Sequence, residues 1–91
     1  MTLKAKIRNF IEDNFLTHLP DFELADDQSL MESDIIDSTG VIELIAFIEA
    51  DFGLEISDHE VVPSNLDSVN KIVTFIQNKL NPKPKEESVG N

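Results

Sequence analysis

The chain contains no cysteine, tryptophan or tyrosine, and only 7 basic residues stand against 18 acidic ones among its 91 residues. Without cysteine it has no disulfide, no thiolate nucleophile of its own and no Cys-ligated metal site. This composition suits the cytoplasm, where we expect the protein. The net charge of −11 repels polyanions, so we expect neither nucleic acid nor an anionic membrane as a partner. Basic protein surfaces are the natural complement.

Long apolar runs are also missing. The N-terminal stretch "MTLKAKIRNFIEDNF" mixes polar and apolar residues at helical spacing, so neither a signal peptide nor a membrane span is expected. A chain of 91 residues forms one small domain with little room for a deep active site. We expect residues 1–80 to form a monomeric domain. Residues 81–91, "NPKPKEESVGN", have almost nothing to bury and are predicted to be a disordered tail.

Apolar periodicity predicts helices and no strand. The first helix is expected from about Thr2 to His18, because its apolar residues recur at intervals of three and four and Pro20 then ends it. A long acidic connection, residues 20–37, follows. The second helix is predicted over Ser38–Phe52.

The remaining boundaries come from capping signals. Gly53 is expected to be the left-handed cap of the second helix. "SDHE" at residues 57–60 has capping-box spacing and predicts a short third helix that Pro63 ends. The fourth helix begins near Asp67 or Ser68 and reaches Leu80. The sequence therefore predicts an all-α protein, a small four-helix bundle with a long first loop and a short third helix.

Catalytic and metal sites have little support. His18 and His59 lie far apart, and neither has ligand-spaced neighbours. The acidic stretch around Asp26 and Asp27 lacks the alternating oxygen ligands and the mid-loop glycine of an EF-hand. Ser38 has no nearby base in the sequence and no Gly-x-Ser-x-Gly elbow. We therefore predict no catalytic residue and no metal site.

Three residues that can cap a helix, Asp37, Ser38 and Thr39, stand in a row before the second helix. One cap starts a helix, so the other two need a separate explanation. The first N–H groups of a helix lack partners, and the macrodipole favours an anion there. A phosphate attached to the Ser38 hydroxyl would therefore find a favourable site.

Projection of residues 39–52 at 100° per residue separates a buried stripe from the opposite side of the helix. The stripe contains Val41, Leu44, Ile45, Ile48 and Phe52. The opposite side presents Thr39, Glu43, Ala46 and Ala50, with Ile42 and Phe47 flanking the stripe and Glu49 and Asp51 at its border.

The stretch "LMESDIIDSTGVIELIAFIEADFGLEISDHEVVPSNLDSVNKIVTFI" resembles the acyl carrier proteins. The resemblance covers nearly the whole predicted bundle. In that family the serine of an Asp-Ser-Leu motif receives 4′-phosphopantetheine from coenzyme A through a separate, magnesium-dependent phosphopantetheinyl transferase. The resemblance thus implies that Ser38 is the attachment residue and that Asp37 supports the transfer. It also implies a carrier rather than an enzyme.

The second helix of such carriers docks on basic patches of partner enzymes, here a transferase, a loading ligase and downstream acyl-transfer enzymes. The residues implied in docking are Thr39, Ile42, Glu43, Ala46, Glu49 and Asp51. Thr39 departs from the family, which usually has Leu at this position. "SDIID" is more similar to discrete carriers, some of which load amino acids, than to fatty-acid carriers.

A second interpretation stays open on the residues alone. An acidic helical adaptor that only binds proteins would have the same bundle, with Ser38 as a plain N-cap and no covalent cofactor. The carried acyl or aminoacyl group is not encoded in any motif.

Overall fold

The computed structural model describes residues 2–19 and 21–81. Within them the chain forms four α-helices and no strand: α1 (Leu3–Phe15), α2 (Ser38–Phe52), α3 (Pro63–Leu66) and α4 (Val69–Leu80). The predicted all-α four-helix bundle is therefore confirmed. The predicted tail lies outside the described residues, apart from Asn81. In the same ranges no helix has the length and apolar character needed to cross a membrane.

Helix α1 is shorter than predicted. The Thr2 hydroxyl accepts the Ala5 N–H at 3.1 Å and caps the N-terminus, but the helix ends at Phe15 rather than at His18. The chain turns there, because Leu16 is buried and the Leu19 N–H bonds back to the Leu16 carbonyl at 2.9 Å. Pro20, the predicted stop signal, lies outside the described residues.

Helix α2 has the predicted limits. Gly53 ends it with φ +67°, and its N–H donates to the Glu49 carbonyl at 3.0 Å. A side chain would be strained at this φ, which is why glycine is favoured as the C-terminal cap. The prediction for Gly53 is confirmed.

The third helix was predicted in the wrong place. Residues 58–60 form only one turn of 3-10 helix, in which the Glu60 carboxylate accepts the Ser57 N–H at 2.9 Å. The α-helix follows and begins at Pro63, so the proline starts α3 instead of ending a preceding helix. Proline suits this first helical position because its fixed φ is already helical and its missing N–H would have no partner.

The core lies where α1, α2 and α4 meet. α1 packs against α4, and Phe10 stacks on Phe47 of α2 with 4.2 Å between ring centroids. Each of these three helices contributes residues with no exposed surface, and these are Ile7, Ile11, Leu44, Ile48, Val69, Ile72 and Ile76. Leu44 and Ile48 belong to the predicted buried stripe of α2.

The long first loop is tied to the helices at several points. The Arg8 guanidinium donates to the Leu24 carbonyl at 2.8 Å and to the Asp26 carboxylate at 2.6 Å. At the other side of the loop, the Asn70 N–H donates to the Asp26 carbonyl at 2.9 Å. These bonds anchor the loop to α1 and α4 at Leu24 and Asp26.

Candidate functional site

The N-terminus of α2 is capped by Asp37. Its backbone is extended, with φ −105° and ψ −170°, and its carboxylate accepts the Gly40 N–H at 2.8 Å. Ser38 and Thr39 are already helical residues. The adaptor interpretation was therefore wrong in one respect, since Ser38 is not the N-cap. Asp37 satisfies the backbone donor that a capping serine would have served.

The Ser38 side chain is thus left unengaged. It is exposed, and its hydroxyl makes no hydrogen bond with any residue that the structure describes. It lies in the first turn of a 15-residue helix, where backbone N–H groups and the helix dipole favour negative charge. A phosphodiester on this oxygen would be accessible from solvent and electrostatically favoured.

Apolar contacts under the first turn hold α2 in place. Gly40 is buried, and a Cβ at this position would lie 2.9 Å from Phe15 Cε1 and 3.1 Å from Ile36 Cγ2. The absence of a side chain therefore allows α2 to approach the end of α1 closely. Because Gly40 is two residues after Ser38, this contact sets the position of the serine relative to the bundle.

The turn before α2 carries a local strain. The Leu30 carbonyl accepts the N–H groups of both Ile35, at 2.9 Å, and Ile36, at 3.2 Å. Closing this turn places Asp34 at φ +59°, a left-handed conformation that aspartate tolerates better than most residues. The result is that Ile35 and Ile36 are buried directly before the cap.

The predicted docking residues divide into two groups. Thr39, Ile42, Glu43 and Ala46 are exposed on the outer face of α2, and Ile42 keeps 68% of its surface accessible. We call these four residues the outer face. Glu43 makes no ion pair with the described residues, so its charge is available to a partner.

Glu49 and Asp51 instead make contacts with other parts of the bundle. The half-buried Glu49 carboxylate accepts the Ile56 N–H at 2.9 Å. Asp51 pairs with Lys6 of α1 at 2.7 Å. Both side chains therefore connect α2 to other elements, which the helix projection did not reveal.

Two exposed apolar residues that line a cleft beside α2 were missed by the sequence interpretation. Met31 in the long loop and Val62 before α3 are 43% and 37% exposed, and both line a small cleft with Val41 of α2. Neither belongs to a helical apolar stripe, so periodicity gave no signal. The signal available was an unexplained methionine in an acidic loop.

His18 and His59 are both exposed. Within residues 2–19 and 21–81, no cluster of His, Asp or Glu side chains is arranged to hold a metal ion.

The fold and this site define a class of protein, a small acidic helical bundle that presents one unengaged serine at the start of its second helix. Curated relatives of the chain are named as carrier proteins. The chain is 30% identical over 73 residues to a D-alanyl carrier protein of Streptococcus sanguinis, covering 80% of this chain and 89% of the relative. It is 28% identical over 76 residues to the D-alanyl carrier protein of Streptococcus suis, covering 84% of this chain and 92% of the relative. No protein-family model matches the chain.

The chain therefore belongs to the acyl carrier protein family. The predicted family is confirmed. Carrier proteins are not catalysts, so the chain is not an enzyme, as predicted.

Proposed function

We propose that this protein carries an aminoacyl group as a thioester on 4′-phosphopantetheine attached to Ser38. The observation that carries the proposal is that the helix cap and the exposed hydroxyl at the start of α2 belong to different residues. Asp37 makes the capping hydrogen bond to Gly40, and Ser38 is left exposed and without a hydrogen-bond partner among the described residues. A serine required for capping would be less free to accept a covalent group.

The prosthetic group fits the residues present. The chain has no cysteine, so a thioester requires a thiol from elsewhere, and the phosphopantetheine supplies that thiol when bound. Ser38 holds the phosphate through its oxygen, and the N–H groups of the first turn of α2 favour the phosphate charge. Asp37 keeps the first turn formed, and in the transferase complex we assign it the supporting role that the family resemblance implies.

The aminoacyl cargo is supported by the relatives, which are named for D-alanine. We therefore propose D-alanine as the first group to test. A loading ligase with a basic docking surface would approach the outer face of α2, where Glu43 supplies the unpaired negative charge next to Ile42. We also propose a cytoplasmic location, which a composition without cysteine suits.

The experiment compares the intact mass of the protein before and after incubation with coenzyme A and a broad phosphopantetheinyl transferase. A gain of one phosphopantetheine supports the carrier, whereas an unchanged mass with two different transferases favours the acidic adaptor. The second transferase is needed because Thr39 stands where the family usually has Leu, and a transferase that requires this Leu would not modify the protein. Adding ATP, D-alanine and a streptococcal D-alanine ligase to the modified protein then tests the cargo. Failure of the ligase to load the modified protein, while it loads the carrier of its own organism, would overturn the D-alanine assignment.

A further inference from the structure

A narrow apolar cleft opens beside the first turn of α2. Its volume is about 60 Å³. Val41 lies three residues after Ser38, about 4.5 Å further along the helix axis, so one wall of the cleft belongs to the same turn as the serine. Its lining includes Leu30, Met31, Ile36, Val41, Val62 and Leu66.

The cleft is too small for a long acyl chain. Apolar cavities of about 150 Å³ hold a molecule the size of benzene, so the volume here corresponds to roughly two or three carbon atoms. The cleft does not reach Leu44, Ile48 or Ile72, which have no exposed surface and are not part of its lining. A longer chain can enter only if one wall of the cleft moves.

Asp67 fixes the wall that the loop provides. Its carboxylate accepts the Ser29 hydroxyl at 2.5 Å and the Met31 N–H at 3.0 Å, and its carbonyl accepts the Leu30 N–H at 2.7 Å. Three consecutive loop residues are thus bound by one residue at the junction of α3 and α4. Leu30 and Met31 line the same cleft as Val62 and Leu66, so these bonds restrain the side of the cleft that the loop provides.

We propose that Asp67 is a specificity-determining residue: its hydrogen bonds to the loop keep the cleft closed to long acyl chains. An aminoacyl group, whose charged ammonium is costly to bury in an apolar cleft, then remains accessible to partner enzymes. This inference rests on the proposed function, since it concerns the group carried on Ser38.

The test compares wild-type protein with Asp67→Ala and Asp67→Asn. The asparagine keeps the shape of aspartate and can accept the Met31 N–H while donating to the Ser29 hydroxyl, so it should retain the closed cleft. Asp27→Asn is the matched charge control, because Asp27 is an exposed residue of the same loop that makes no hydrogen bond or ion pair with the described residues. Each protein is loaded by the transferase from acetyl- or octanoyl-coenzyme A.

The measured quantity is the rate constant for thioester cleavage by hydroxylamine. For each protein, the rate constant of the octanoyl form is divided by that of the acetyl form. This ratio is then divided by the same ratio for the two free coenzyme A thioesters. Wild type, Asp67→Asn and Asp27→Asn should give a normalised ratio near one, because the closed cleft has room for only about two or three carbon atoms of either acyl group. Asp67→Ala should protect its octanoyl thioester by about fourfold for each methylene that enters the opened cleft. A merely structural role of Asp67 would not produce protection that depends on chain length.

Protection of the octanoyl group in wild type to the same degree as in Asp67→Ala would overturn the proposal, as would a ratio near one in Asp67→Ala. Ser29→Ala, which removes one of the bonds, replaces Asp67→Ala if that variant does not fold. If no protein accepts phosphopantetheine, the proposed function fails, and the unmodified proteins are titrated with n-octanol instead. Methyl NMR shifts at Ile36 and Val41 in the alanine variant alone would then support the closed cleft, and equal shifts in wild type would overturn it.

Discussion

The Asp37 carboxylate accepts the Gly40 N–H at 2.8 Å, and this bond spans the serine that we propose as the attachment site. The helix cap and the proposed attachment site are therefore neighbouring residues. Asp37 provides the structural contribution, while Ser38 keeps an exposed hydroxyl in the first turn of the helix. This separation makes the roles of the two residues distinguishable by mutation.

Asp37→Ala should lower the free energy of unfolding by about 0.5 to 2 kcal/mol, the usual cost of losing an N-cap. Ser38→Ala should change it by less than about 0.5 kcal/mol, because an exposed side chain without a structural contact is removed. If Ser38 were the N-cap, this substitution would instead lower the free energy of unfolding by about 0.5 to 2 kcal/mol. Urea denaturation of both variants provides the comparison, and a larger loss in Ser38→Ala than in Asp37→Ala would show that the serine is the cap.

Gly40→Ala should destabilise the protein and couple to Phe15. The new Cβ would lie 2.9 Å from Phe15 Cε1, and such overpacking costs about 1 to 3 kcal/mol against a gain of at most about 1 kcal/mol in helix propensity. Phe15→Leu removes the ring that clashes. A double-mutant cycle of the two substitutions should show an interaction energy above about 0.5 kcal/mol, and strict additivity would mean that the close approach does not matter.

Glu43→Lys should slow modification by the transferase and binding to the loading ligase. Two unit charges about 4 Å apart in water interact by about 1 kcal/mol, so we expect an association rate about fivefold lower at low salt. The wild-type rate should also fall as salt rises, because exposed charges are screened. Stopped-flow association kinetics give both quantities.

The matched control for this substitution is Asp13→Lys, which reverses an exposed charge on α1. It changes net charge equally but lies outside the outer face. Glu49→Lys is less suitable, since Glu49 also holds the Ile56 N–H. Equal slowing by Asp13→Lys would show that global charge, rather than the outer face, governs docking.

Asp26 makes stability depend on pH. The hydrogen bonds from Lys4, at 3.0 Å, and from Arg8, at 2.6 Å, hold the pKa of its carboxyl below the ordinary value of 3.8. A lowered pKa in the folded state contributes stability that is fully present above the unfolded pKa and is lost as pH falls through the folded pKa. The stability advantage of wild type over Asp26→Asn should therefore be constant near neutral pH and shrink below about pH 3.8.

Urea denaturation of the two proteins across this pH range measures the difference directly. Taking a difference removes the relief of self-repulsion that acid brings to any protein of this net charge. An advantage that stays constant down to the acid limit of folding would contradict the role assigned to the Lys4 and Arg8 contacts.

The helices could be predicted largely from sequence, because apolar spacing and a C-terminal glycine are local signals. The limits of α2 and the role of Gly53 were confirmed for this reason. Pro63 was misinterpreted, since a proline near a helix signal is compatible with either the end of one helix or the start of the next.

The site was predictable only in part. Aspartate, serine and threonine all cap helices, so the choice of Asp37 depends on backbone geometry that composition does not encode. The salt bridge between Asp51 and Lys6 joins residues far apart in the chain. The hydrogen bond from Ser29 to Asp67 spans 38 positions. Such contacts follow from packing and not from local pattern.

The most direct measurement is peptide mass mapping of wild-type protein, Ser38→Ala and Thr39→Ala after incubation with coenzyme A and a phosphopantetheinyl transferase. Our account predicts one phosphopantetheine on Ser38 in wild type and in Thr39→Ala, and none in a folded Ser38→Ala. Modification that persists in Ser38→Ala, on Thr39, Ser33 or Ser29, would contradict the assignment of Ser38 as the attachment site.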